Sequence, residues 1–264
     1  MNRIALHQST VHPLDPVALV DVAHRAGLDS VGLRVAAEAD VEPWWSRGIG
    51  SPMLRALVDV LLAARVTVLD VGRVPRGPEL CVVDIGHPYG RVLELGSRLG
   101  AQFVTVRAGG PTDDPAEFFR RLAELAGRYQ LRPLLSLAPG TAVATLERAV
   151  AVVEGTGGGV VLDVVPGRDT AAQVDETVVE LGAHLGYVRV SARALARSAE
   201  PGLLATLPPQ VPVAIGGAPA GPQPPRAADT ADPAAGDPDA QVARVSALRL
   251  AIDAMLRHPQ AADR

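Results

Sequence analysis

Eight short, near-continuous apolar runs alternate along this chain with stretches of helical period, and that alternation limits what it can fold into. The runs are Ile4–Leu6, Ser30–Arg34, Val66–Val71, Phe103–Arg107, Pro133–Ala138, Val160–Val165, Tyr187–Ser191 and Val211–Ile215. Apolar residues at successive positions are expected of parallel strands covered on both faces by helices. Between the runs, apolar residues recur at helical spacing. Leu19, Val22, Ala23 and Ala26 form one stripe, and Leu54, Leu57, Val58 and Leu61 another. Leu122, Leu125, Ala126 and Tyr129 continue the pattern, as do Val174, Val178, Leu181 and Leu185, and Val245, Leu248, Ile252 and Met255. Asp15-Pro16 and Asp114-Pro115 place a capping side chain before a proline, which is a helix start signal. Eight such units in 264 residues make about 33 residues per unit, close to a typical barrel of about 250 residues. The expected fold is α/β, a single-domain (β/α)8 TIM barrel over residues 1–264. An open doubly wound sheet is the alternative, with fewer strands.

One segment breaks the rhythm. Residues 218–240 interleave Pro219, Pro222, Pro224, Pro225, Pro233 and Pro238 with Ala, Gly and Asp. Without periodicity it reads as a flexible loop between strand 8 and the last helix. A lid over the catalytic face is the functional alternative to a plain spacer.

Composition narrows the chemistry. All 25 basic residues are arginines, so no lysine can form a Schiff base or grip a phosphate in a P-loop. The net charge of −4 lacks the basic footprint of nucleic-acid binding. No apolar run is long enough to span a membrane. Cys81 is the only cysteine, which rules out an internal disulfide and a Cys-rich zinc site. A reducing cytoplasm is the expected compartment. The expected partner is a small-molecule substrate, with the oligomeric state left open, homodimer included.

In a (β/α)8 barrel the active site lies at the C-terminal strand ends. The polar residues expected there are His7, Gln8 and Ser9 on strand 1, Arg34 on strand 2, Asp70 on strand 3, and Arg107 on strand 4. Ser136, Asp163, then Arg189, Ser191 and Arg193 follow on strands 5 to 7, and Gly216-Gly217 ends strand 8. Asp163 interrupts Val160-Val161-Leu162 and Val164-Val165. A carboxylate there is costly unless it is paired, and Arg107 and Arg189 are the expected partners. A structural ion pair and a catalytic base both fit. His7 is a candidate acid or base, because histidine titrates near neutral pH. Arg34, Arg107 and Arg189 could form an anion pocket. Asp70 and Ser136 join them as candidate substrate contacts, and Gly216 and Gly217 could offer backbone N–H groups. His12, His24, His87, His184 and His258 read as surface residues. Trp44-Trp45 reads equally as an aromatic wall or a plug. Gly155–Gly159 is glycine-rich but precedes a strand, so it is not a dinucleotide loop.

The segment from Asp15 to Arg34 (DPVALVDVAHRAGLDSVGLR), together with Val68–Val71, Gly96–Val104 and Leu131–Leu135, resembles the sugar phosphate isomerase/epimerase family of xylose isomerase-like TIM barrels. The resemblance runs over most of residues 1–217. It implies the barrel fold and isomerase or epimerase activity. It also implies one divalent metal, held by a Glu on strand 5, an Asp on strand 6, a His or polar residue on strand 7 and a Glu on strand 8. Asp163 falls on the strand 6 ligand. Ser136, Arg189 and Ala214 stand at the other three. The expectation is therefore a divergent member without a metal cofactor. It would be an isomerase or lyase acting beside the carbonyl of a small polar, anionic substrate. Asp163 would be its base, His7 its acid, and Arg107 and Arg189 its enolate stabilisers. The alternatives are a ligand-binding barrel that has lost its chemistry and, third in order, a divalent-metal-dependent sugar isomerase or epimerase of the usual kind.

Overall fold

A computed structural model describes residues 2–11, 14–35, 51–74, 88–107, 114–137, 141–216 and 237–257. The strands are β1 (Ile4–His7), β2 (Ser30–Arg34), β3 (Thr67–Val74), β4 (Phe103–Arg107), β5 (Arg132–Ser136), β6 (Gly159–Val164), β7 (Leu185–Ser191) and β8 (Val213–Gly216). All pair in parallel and in chain order, and β8 returns to β1 to close the barrel. The helices are α1 (Pro16–Arg25), α2 (Pro52–Ala64), α3 (Pro88–Arg98), α4 (Pro115–Arg128), α5 (Leu146–Val153), α6 (Ala171–Leu181), α7 (Ala192–Leu195) and α8 (Pro238–Leu256). The expected (β/α)8 barrel is what forms, and the open sheet is ruled out by closure. β3 runs three residues past its expected end at Val71. Among the described residues no helix is long and apolar enough to cross a membrane.

Local chemistry sets the helix starts. The Asp15 carboxylate accepts the N–H groups of Val17 and Ala18 at 2.8 and 2.9 Å, and Asp114 caps α4 in the same way. Each such cap contributes about 1 kcal/mol. Asp237 does the same for α8, accepting from Asp239 N–H, with Pro238 in the first turn. The last helix therefore begins inside the expected 218–240 loop: residues 238–240 are helical, because Asp237-Pro238 repeats the start signal of Asp15-Pro16. Residues 217–236 lie outside the described residues. So do Trp44, Trp45, Cys81, His12, His87 and His258. His24 is exposed on α1 and His184 is half-buried before β7.

Two apolar regions hold the barrel. A large one lies between strands and helices, where Leu19, Leu57, Leu93, Phe119, Val178 and Ile252 are buried. The second fills the interior with Ala5, Leu69, Phe103, Leu134, Val161, Tyr187 and Ala214. Side chains alternate along a strand. The residue two positions on from each interior residue is therefore also inward, one level nearer the C-terminal mouth. On β1, β4, β5, β6, β7 and β8 these residues are His7, Thr105, Ser136, Asp163, Arg189 and Gly216. A polar ring thus sits directly on an apolar one.

β3 joins the ring by a different route. Its register with β2 runs Val31 to Val68 and then Gly32 to Asp70, leaving Leu69 as an extra residue. A bulge of this kind re-aims the side chains that follow it. Leu69 stays in the apolar layer, and Asp70 enters the polar ring. Gly32 makes room for it: a Cβ there would lie 2.3 Å from Asp70 Oδ1 and 2.6 Å from His7 Cδ2. Gly32→Ala is expected to destabilise the barrel by about 1–3 kcal/mol, the usual range for overpacking. A lowered urea midpoint with an unchanged slope would register it.

Candidate functional site

The ring at the C-terminal mouth contains two hydrogen-bonded groups. The first centres on Arg189, whose side chain is only 5% exposed. Its Nε donates to Asp163 Oδ1 at 2.5 Å and its Nη2 to Asp163 Oδ2 at 2.8 Å. Nη2 also donates to Ser136 Oγ at 2.9 Å. Register places Asp163 beside Arg189 across β6 and β7. Burial works against the Arg189 charge, but the Asp163 carboxylate outweighs it and holds the guanidinium pKa above its ordinary value. Three of its five N–H donors are used, and the two on Nη1 meet no partner among the described residues.

The second group centres on Asp70, fully buried at 0% exposure. Its Oδ2 accepts from Thr105 Oγ1 at 2.9 Å and from the Tyr187 hydroxyl at 3.1 Å. Its Oδ1 is buried without a hydrogen-bond partner among the described residues. His7 Nε2 faces Oδ2 at 3.9 Å. The other ring nitrogen of His7 accepts the Ser9 N–H at 3.3 Å, with Ser9 Oγ at 2.7 Å. That contact assigns the Nδ1 lone pair to Ser9 and the proton of the neutral ring to Nε2. Burial pushes the Asp70 carboxyl above its ordinary 3.8, against the opposing pull of Thr105, Arg189 and Tyr187. Burial and the nearby Asp70 charge raise the Tyr187 phenol well above 10.0.

The structure thus brings His7, Asp70, Ser136, Asp163 and Arg189 into one ring. Asp163 meets Arg189, one of its two expected partners. Arg34 ends β2 on the same face as Gly32 and is half-buried, and its N–H donates to Gln8 Oε1 at 3.0 Å. Gln8 also donates to Leu14 O at 3.1 Å, so it ties loops together at the mouth. Arg107 ends β4 in register with Ser136. Its side chain, and Gly217, lie outside the described residues. Gly216 has a steric role, since a Cβ there would lie 2.6 Å from both Cγ and Cδ of Arg189. Ser191 caps α7, accepting from Ala194 N–H at 3.4 Å, and Arg193 is exposed on that helix. Thr105 and Tyr187 are the site residues that sequence reasoning missed. Their signal was available: each stands two positions from a singled-out residue, Arg107 or Arg189, on the same strand face.

The divalent metal implied by the family resemblance does not fit these residues. The Arg189 guanidinium spans the space between Asp163 and Ser136, the β6 and β5 ligand positions, and puts positive charge there. On β8, Ala214 pairs in register with Arg189 and belongs to the apolar layer, and Gly216 follows it, so neither brings a donor side chain. Among the described residues no group of three His, Cys, Asp or Glu could hold a metal ion.

Raised above its unfolded value, the Asp70 pKa makes stability depend on pH with a definite sign. The folded state binds more protons above 3.8, so the contribution of protonated Asp70 is full below that pH and is lost as pH rises through the folded pKa. The stability of the wild type relative to Asp70→Asn is expected to fall as pH climbs from 3.8 upward. Urea denaturation at a series of pH values measures it, and a difference independent of pH would contradict the assignment.

No protein-family model and no curated protein matches the chain. Solved structures do. A xylose isomerase domain-containing protein from Salmonella typhimurium LT2 superposes with a TM-score of 0.65 at 13% identity, covering 97% of this chain and 98% of that one. The IolI protein, solved with a bound zinc atom, gives 0.66 at 12% identity over 96% and 98%. D-Psicose 3-epimerase from Clostridium cellulolyticum H10, solved with D-tagatose, gives 0.64 at 13% identity over 96% and 99%. At such low identity the likeness is one of fold: this chain shares the closed (β/α)8 barrel of these proteins.

Proposed function

We propose that the protein is an isomerase or lyase that moves a proton beside the carbonyl of a small polar substrate, with the Arg189 guanidinium acting where the family would use a metal. The observation that carries this reading is the geometry of Arg189. It is held by Asp163 and Ser136 so that its Nη1 edge, with two N–H donors, is uncommitted. A carbonyl oxygen on that edge would be polarised by a fixed cation that needs no reorganisation as charge develops. Asp163, at 15% exposure, is the most accessible carboxylate of the ring, and Asp70 is at 1%. Each Asp163 oxygen keeps a lone pair beyond its bond to Arg189. Asp163 takes the proton from the carbon beside the carbonyl, and the electron pair moves to the carbonyl oxygen as an enolate on Nη1. In an isomerisation Asp163 returns its proton to the carbonyl carbon, while the Nδ1 lone pair of His7, through the Ser9 hydroxyl, takes the proton of the neighbouring substrate hydroxyl and passes it to the enolate oxygen. In an elimination, the enolate expels a group from the next carbon. Arg34 and Arg107, ending β2 and β4, are the proposed contacts for an anionic group. A cytoplasmic location belongs to the same proposal.

The second reading is a ligand-binding barrel without turnover. What favours it is the completeness of the Arg189–Asp163 pair, in which both carboxylate oxygens are already engaged.

Proton exchange separates the two without knowledge of the product. Ketoses, aldoses, their phosphates and 2-keto acids are incubated with chelator-treated protein in D2O and followed by NMR. The expected result is deuterium at the carbon beside the carbonyl of at least one compound. Asp163→Asn should slow that exchange by about 10²–10⁴-fold, and Arg189→Lys by about 10²–10³-fold. Exchange that needs an added divalent metal, or that survives Asp163→Asn, would overturn the assignment. Ligand stabilisation with no exchange would leave the binding reading in its place.

A further inference from the structure

The end of the barrel opposite the mouth contains a cavity of about 470 Å³, a volume within the range of small-molecule sites. It is built from the N-terminal strand ends. Arg3 precedes β1, Gln102 precedes β4, Arg132 opens β5, Leu185 opens β7 and Val211 precedes β8, with the Phe103 ring against them. Phe103 also belongs to the apolar interior layer, which separates this cavity from the ring above it.

Its charge is unbalanced. Arg132 is half-buried, yet its Nη2 donates only to the backbone carbonyls of Gly158 at 3.0 Å and Ala183 at 2.8 Å. Arg3 Nη2 donates to the neutral Gln102 Oε1 at 3.0 Å. Among the described residues neither guanidinium is within ion-pair distance of a carboxylate, and the Nε and Nη1 groups of both donate to nothing. Withdrawing a cation from water against neutral partners is costly, and burial lowers the Arg132 pKa with nothing opposing it. A carboxylate would supply the missing charge and match the guanidinium fork. Phe103, Leu185 and Val211 would cover an apolar body.

We propose that this cavity is a second binding site, for an organic carboxylate with an apolar body, independent of the chemistry at the mouth. The probe is 2-naphthoate on the full chain, followed by calorimetry and thermal shift at constant ionic strength. The expected result is saturable binding of one naphthoate per chain, with 2-naphthol and inorganic phosphate each weaker by about tenfold or more. Arg3→Glu reverses the charge of an exposed residue, and should weaken binding by about tenfold or more without loss of folding. Arg132→Gln should do the same, and Arg3→Glu decides the matter if that variant fails to fold. Ser136→Ala, at the opposite end, should leave naphthoate affinity unchanged. Absence of saturable binding, unchanged affinity in Arg3→Glu, or phosphate binding as tightly as naphthoate would each overturn the proposal. Weakened binding in Ser136→Ala would move the ligand to the mouth and overturn it too.

Discussion

Burying the Arg189 guanidinium is the demand to which the mouth of this barrel is built. A cation taken out of water needs its charge and its donors met at once, and removing one partner of such a pair costs about 3–5 kcal/mol. β6 meets the charge with Asp163, β5 fills the remaining Nη2 donor with Ser136, and β8 gives way with Gly216 beneath the side-chain stem. Three neighbouring strands are thus shaped around one side chain of β7. On the other side of the ring the problem is reversed. Asp70 is buried without a cation in hydrogen-bond contact, and two hydroxyl donors on one oxygen compensate only in part.

The two groups give the mouth an electrostatic asymmetry. At one side stands a locked ion pair with two uncommitted N–H donors. At the other stands a carboxyl that burial drives toward its neutral form, with His7 next to it. A guanidinium differs from a metal ion in what it can do here. It carries one positive charge instead of two and cannot deprotonate a bound water. It does offer directional donors at fixed positions.

Much of the fold was legible because its signals are local. Apolar runs, Asp-Pro starts and the unit length required only neighbours in sequence, and closure followed from the count of units. The ring was partly legible, since polar residues interrupting Val-rich strands mark themselves, as Asp163 does between Val161 and Val164. Tyr187 and Thr105 escaped because an aromatic or β-branched residue in a strand looks like core, and only the partner at Asp70 gives their hydroxyls a role. The entry of Asp70 itself depends on the Leu69 bulge, which is a property of pairing between β2 and β3 and has no mark in either strand alone. The extent of the last loop was misjudged by three residues, because a proline that breaks a loop composition pattern also starts a helix once Asp237 precedes it.

The bare position at Gly216 has a consequence for descent. A side chain there and the arginine at 189 exclude each other, with carbons that would come within 2.6 Å. A carboxylate cannot be introduced at that strand end while Arg189 remains, and losing Arg189 first would strand Asp163 without its partner. Changes at 189 and 216 are therefore expected to be non-additive, the cost of a side chain at 216 depending on whether Arg189 is present.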